Sequence, residues 1–343
     1  MRLLILTQKI DKDDPILGFF HTWVFRLSEK FESVVVVCLS KGDFDLPQNV
    51  QVFSLGKEKG KNRFYYIFQF FNLCFFQSLK YDAVFVHMNQ EYVLLGGLFW
   101  KMLRKPVYLW RNHPQGSILT RLAVLLSNKV FCTSDKSFTK RFSKTILMPV
   151  GIDTYQFKDL KKERSKNSIL FLSRISLVKR PESLIEALKI LKDKDINFIC
   201  NFYGEALPKD QNYFENLKNK IKEYGLENNV KFKVAVPNDQ TPKIYSEHNI
   251  FINLTPSGSM DKTILESVAC GCIPIVANDY FRDIFEPEML VGEDIYDISN
   301  KIEFCLNLLE ERKDEIRQRL IKYVSENHSL KILIEKLYAE ILR

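Results

Sequence analysis

Residues Asn249–Pro274 read NIFINLTPSGSMDKTILESVACGCIP. Asn249–Leu254 is a short, continuous apolar run, the pattern of a parallel strand covered on both faces. Pro256, Ser257, Gly258 and Ser259 then make a loop of small residues. From about Lys262, Ile264, Leu265, Val268 and Ala269 recur at three- and four-residue spacing, which predicts a helix. Gly271 and Pro274 are stop signals, and Ile273–Asp279 (IPIVAND) is the next strand. Strand, loop, helix and strand in this order define an α/β fold with a parallel sheet.

A Gly/Ser loop entering a helix offers free backbone N–H groups and the positive end of the helix dipole, so it suits an anion such as phosphate. Ser259, Asp261 and Thr263 are all competent caps. Glu266 lies one turn into the helix, where a carboxylate suits a pair of ribose hydroxyls. The candidate donor- or nucleotide-binding residues of this stretch are Ser259, Met260, Asp261, Lys262, Thr263 and Glu266. The plainer alternative is an ordinary βα turn with a surface glutamate.

The chain has 343 residues, which predicts two domains. Hydrophobic content of 46% and 27 phenylalanines suffice for two thick cores. The N-terminal MRLLILTQKIDKDD has no cleavage-site pattern and reads as a first strand. No apolar stretch reaches the roughly 18 to 20 residues of a spanning helix. Seven cysteines in apolar contexts, without framework spacing, predict a reducing, cytoplasmic compartment. Cys270-Gly-Cys272 has no second pair or histidine beside it and reads as structural. The net charge of +8 is concentrated in residues 1–160, where 22 Lys/Arg face 13 Asp/Glu. There is no P-loop, GxSxG, GxGxxG or zinc spacing, and nothing points to nucleic acid.

Apolar strands and amphipathic segments alternate twice along the chain. The first series runs through Arg2–Thr7, Ser33–Leu39, Val50–Leu55, Tyr81–His87, Val107–Arg111 and Lys129–Thr133, with helices at Phe20–Phe31, Arg63–Phe76 and Glu91–Leu103. The second begins at Ser168–Leu172 after the charged Asp159–Asn167 and repeats the alternation, ending in helices at Ile302–Leu309 and Ser329–Leu342. Each series predicts a doubly wound, Rossmann-like domain, the first over 1–160 and the second over 161–327.

Ile264–Pro274 (ILESVACGCIP) resembles the C-terminal signature of retaining, family-4-type glycosyltransferases of the bacterial group 1 type, which have the GT-B fold. The resemblance implies two Rossmann-like domains facing a central cleft, with the last helix (328–343) returning to the first. It implies transfer of a sugar from a nucleotide-diphosphate donor to an acceptor with retention at the anomeric carbon. Glu266 falls on the second acid of the family's paired-glutamate motif; the first falls on Gly258. Leu172–Glu186 is similar to the family's Gly-Arg-x-x-x-x-Lys-Gly segment and places Arg174 and Lys179 on its two basic positions, where they would offset charge growing on the departing diphosphate. The resemblance places Gly18 at the first glycine turn, Gly204 beside the nucleotide, and His113 near the donor sugar as a catalytic residue. His87 and His21 are weaker candidates. No metal or other cofactor is expected; the pairs Asp11/Asp13, Asp43/Asp45 and Asp193/Asp195 lie in polar turns. Two alternatives stay open: a nucleotide-sugar epimerase of the same fold, and a non-catalytic nucleotide- or sugar-binding protein.

Arg63–Phe76 (RFYYIFQFFNLCFF) is apolar nearly all round, with Lys57, Lys59, Lys61, Arg63 and Lys80 at its fringe. It reads either as a core helix or as one lying on an anionic membrane surface. The second reading agrees with a lipid-linked or surface-polysaccharide acceptor at the inner face of the cytoplasmic membrane.

Overall fold

The structure is a computed structural model that describes residues 1–14, 16–161, 163–256 and 260–343. The chain divides into two compact units, Met1–Gly151 with Leu330–Arg343, and Ile152–Ser329. Residues 152–160, expected in the first domain, therefore count with the second. They are tied there by the Asp159–Arg164 ion pair at 3.0 Å and the Leu160 N–H bond to Ser246 Oγ at 3.3 Å.

The first unit runs β1 (Arg2–Ile10), α1 (Gly18–Ser28), β2 (Ser33–Lys41), β3 (Val50–Ser54), α2 (Arg63–Phe76), β4 (Ala83–His87), α3 (Gln90–Met102), β5 (Val107–Trp110), α4 (Ile118–Leu126), β6 (Lys129–Cys132) and β7 (Thr145–Leu147). Its sheet has the order β3-β2-β1-β4-β5-β6-β7, with every neighbouring pair parallel. The central strands are continuously apolar because both faces are covered. Leu3, Ile5, Val34 and Val36 face one core, and Leu4, Leu6, Val35 and Val37 face the other. α4 has no counterpart in the sequence reading; a Ser117–Thr120 capping box starts it.

The second unit runs β8 (Ser168–Leu172), α5 (Pro181–Asp193), β9 (Ile199–Tyr203), α6 (Gln211–Glu223), β10 (Val230–Lys233), α7 (Thr241–Ser246), β11 (Ile250–Asn253), α8 (Lys262–Ala269), β12 (Ile273–Val276), α9 (Ile295–Asn307) and α10 (Glu310–Asn327). Its parallel sheet has the order β10-β9-β8-β11-β12. Strand order reverses between β8 and β11, so the loops leaving their carboxyl ends border the crevice where open α/β sheets bind ligands.

The final helix, α11 (Leu330–Leu342), packs in the first unit. Leu333 and Leu337 are fully buried, Tyr108 Oη donates to the Ile341 carbonyl at 2.9 Å, and Lys129 Nζ reaches both the Glu340 carbonyl and its carboxylate.

Candidate functional site

The loops after β8 and β11 meet through one polar cluster. Asp261 is the N-cap of α8: its Oδ1 accepts from Thr263 N at 3.2 Å and from Thr263 Oγ1 at 2.8 Å. Its Oδ2 accepts from Lys179 Nζ at 2.8 Å and from Asn253 Nδ2 at 3.0 Å. Lys179 also donates to Thr255 Oγ1 at 3.1 Å, and the Asn253 side-chain carbonyl accepts from Thr255 N at 3.0 Å. Burial works against the Asp261 charge, but the Lys179 ammonium and the hydrogen bonds outweigh it and hold the carboxyl below its ordinary value. Both Asp261 oxygens are thus taken within the protein.

Glu266 is placed differently. It faces inward from the second turn of α8 and is 5% exposed. Its carboxylate accepts no hydrogen bond among the described residues. Burial pushes its pKa up to about 7; Lys262, one turn earlier, pulls the other way, and Asp261 adds to the rise. Burial in turn lowers the Lys262 pKa, against the charges of Glu266 and Asp153. A buried carboxylate that accepts no hydrogen bond among the described residues, beside a helix N-terminus, is suited to accept hydrogen bonds from a diol.

Arg174 is exposed on the loop after β8, and its side chain makes no hydrogen bond or ion pair among the described residues. Arg180, where the resembling family has glycine, adopts φ +53° and pairs with Glu293. Gly204 (φ +149°) lets two loops run side by side: Ser173 N donates to the Tyr203 carbonyl at 3.1 Å and Ile175 N to the Glu205 carbonyl at 3.0 Å. A Cβ at Gly204 would lie 1.9 Å from the Ser173 carbonyl oxygen. The residue thus seats the Arg174 loop through its backbone. Met260 is buried, and Gly258 and Ser259 lie outside the described residues. Gly271 (φ +83°) ends α8, and a Cβ there would meet Arg164 Nη2 at 2.4 Å.

In the first unit, Gly18 opens α1, and its backbone passes so close to the Lys12 carbonyl that a Cβ would sit 2.8 Å from that oxygen. His113 follows β5 and is exposed; its Nδ1 accepts from Gln115 N at 3.0 Å. His87 is a core residue instead, 1% exposed and stacked on Phe20 with ring centroids 3.8 Å apart. His21 accepts from Asp45 N at 3.1 Å.

Asn253 and Thr255 were not singled out in the sequence. The signal is a polar residue closing the apolar strand IFIN, followed by a hydroxyl two residues on. A cavity of about 830 Å³ lies at the opposite, amino edge of the second sheet, against Arg164, Asn249, Lys313 and Arg317. Arg164, Lys313 and Arg317 there are paired with Asp159, Glu310 and Asp314, whereas the candidate residues of the second unit gather at the β8–β11 edge. The seven cysteines are free and buried, and no group of three or more metal-ligating side chains occurs among the described residues.

Among curated proteins, none matches this sequence significantly. The fold is similar to several solved structures. HepE of Anabaena, solved in complex with UDP, has a TM-score of 0.78 at 19% identity, covering 100% of this chain and 99% of that one. Sucrose-phosphate synthase from Thermosynechococcus elongatus has a TM-score of 0.77 at 14% identity, with 100% and 99% coverage. A glycosyltransferase from Rickettsia africae has a TM-score of 0.76 at 17% identity, with the same coverage. Two Rossmann-like parallel sheets and these likenesses establish the GT-B fold. The family model for glycosyl transferases group 1 matches residues 153–326, just over half of the chain and all of the β8–β11 edge, and the chain therefore belongs to the group 1 glycosyltransferases.

Proposed function

We propose that this enzyme takes a sugar from a nucleotide-diphosphate donor and passes it to a glycan acceptor with retention of anomeric configuration, in the manner of glycosyltransferase family 4. The observation that carries the donor reading is Glu266, a buried carboxylate without a partner among the described residues, next to the N-terminus of α8. In this reading the ribose hydroxyls donate to Glu266, and the diphosphate lies between the α8 N-terminus and Arg174. As the sugar–phosphate bond breaks, its electron pair goes to the diphosphate. Arg174, the helix dipole and Lys179 offset that growing charge. Lys179 acts from a position already paired with Asp261, so Arg174 carries the larger share. His113 acts beside the donor sugar, and no metal is required.

HepE has also been solved with UDP-glucose, which makes UDP the first ligand to try. The acceptor is a lipid-linked or surface-polysaccharide glycan, and the reaction takes place in the cytoplasm at the inner face of the membrane. Calorimetric titration with UDP tests the donor site. Glu266→Ala should weaken binding by about 1.5 to 3 kcal/mol, the scale of a hydrogen bond to a charged group. An unchanged affinity in a folded variant would remove Glu266 from the site. Turnover of radiolabelled UDP-sugar separates transfer from binding alone.

A further inference from the structure

α2, α3 and α4 form one layer over the first sheet. Phe70 of α2 stacks on Tyr92 of α3 at 5.7 Å and meets Trp100 edge-on at 6.0 Å. Phe75 and Phe99 lie 6.3 Å apart. Gly97 brings α3 against α4, where a Cβ would touch Leu126 Cβ at 3.0 Å. Their inner side is the sheet core, with Phe70, Cys74, Val93, Trp100 and Val124 buried.

The outer side of this layer should be polar in a helix that only covers a sheet. It is apolar on all three helices. On α2, Phe64, Phe68, Phe71 and Phe75 recur at helical spacing and are exposed, Phe64 by 84% and Phe68 by 66%. On α3 the exposed stripe continues through Leu95, Leu98 and Met102. On α4 it is Ile118, Leu119, Leu122 and Leu125. Single exposed apolar side chains are ordinary, but adjoining stripes on three neighbouring helices mark an interaction surface.

The charge around that surface selects its partner. Between residues 57 and 126 there are ten Lys and Arg and three acids. Of the acids, Asp82 is paired with Arg2, and Glu58 accepts from Ser54 Oγ at 2.7 Å. Lys57, Lys59, Lys61 and Arg63 are exposed at the start of α2, and Lys101, Arg104 and Arg121 on α3, the turn after it and α4. Apolar stripes with a cationic rim match the acyl boundary and anionic headgroups of a bilayer. No helix among the described residues is long and apolar enough to cross a membrane, so the contact is interfacial.

We infer that the outer face of α2, α3 and α4 docks on an anionic lipid surface, with phenylalanines and leucines at the acyl boundary and the lysines and arginines on the headgroups. The inference rests on the first unit alone, so it survives or falls independently of the transfer reaction.

Co-sedimentation of the full chain with phosphatidylcholine vesicles, with and without phosphatidylglycerol, tests it. The protein should pellet with the anionic vesicles at low salt and return to the supernatant as salt screens the contact. Phe68→Ser with Phe75→Ser should lower the partition at least tenfold. Lys59→Glu, which leaves the apolar face intact, should lower it by about fivefold or more, given about 1 kcal/mol per interfacial cation. A wild-type far-UV circular dichroism spectrum and a cooperative thermal transition show that each variant is folded. Recovery in the supernatant with both vesicle types would overturn the inference. So would pelleting that ignores phosphatidylglycerol, or concentration-dependent self-association abolished by the phenylalanine variant, which would assign the face to a second copy of the chain.

Discussion

At the scale of single residues, Glu266 combines a cost to the fold with a use for a ligand. In the folded protein its carboxyl titrates at about 7, against 4.5 for a free side chain, chiefly because burial disfavours the charge. Between those values the folded state holds more protons than the unfolded chain, so stability falls as pH rises through the window. The cost is absent below about pH 4.5 and complete above about pH 7. Glu266→Gln removes the charge and should stabilise the protein by up to about 3 kcal/mol near pH 8, with the gain fading toward pH 4.5. Denaturant unfolding at the two pH values checks this. An equal gain at both would mean that packing, not ionisation, separates the variants. The glutamate was legible as a candidate from its helical position after a small-residue loop. Its burial was not, since a Glu one turn into a helix is ordinarily solvated. Asp261 shows the converse. It was one of three possible caps in the sequence, and only the folded position of Lys179, from the loop after β8, shows that its charge is spent internally.

At the scale of elements, the β11–α8 turn was readable because each signal is local: an apolar strand, small residues, a cap, a 3.6-residue period and a terminating glycine. α10 was not readable as a packed helix. Its sequence, EERKDEIRQRLIKYVSEN, is highly charged, yet Lys313 and Arg317 are buried because Glu310 and Asp314 lie one turn before them. α2 misleads in the other direction. Near-total apolarity suits burial on two sides, but only Phe70 and Cys74 are buried. Periodicity states which residues share a face and is silent on what covers the second one. The turn also carries a prediction. If Asp261 mainly neutralises Lys179, Asp261→Asn should free the ammonium and tighten UDP binding by about 1 kcal/mol, a modest charge-assisted gain. The fold should lose a similar amount, as a buried pair and a cap are weakened. If Asp261 instead contacts the donor sugar, UDP binding is unmoved and UDP-sugar binding weakens. Paired titrations with UDP and UDP-glucose distinguish the two.

At the scale of the whole molecule, the twofold alternation of strands and helices was visible in the chain because both sheets are parallel and buried, and such strands read as unbroken apolar runs. The assignment of 152–160 to the second unit was not, because it depends on long-range contacts such as Asp159–Arg164 and Leu160–Ser246. The candidate groups are also divided. Glu266, Arg174, Lys179 and Asp261 belong to Ile152–Ser329, whereas His113 and Gly18 belong to the first unit. A nucleotide held by the second unit alone should not sense a change at His113, which is exposed and whose side chain, among the described residues, bonds only Gln115 of its own loop. A side chain acting on the transferred sugar, by contrast, affects the transition state. His113→Ala should therefore leave the Kd for UDP within about twofold of wild type and lower kcat by about a hundredfold, the scale of a positioned polar group in a transition state. Calorimetry and turnover on one preparation, repeated in EDTA to check that no metal is needed, measure both quantities. A weakened Kd with unchanged kcat would move His113 from the reaction to nucleotide binding, and a change in neither would leave it a loop residue.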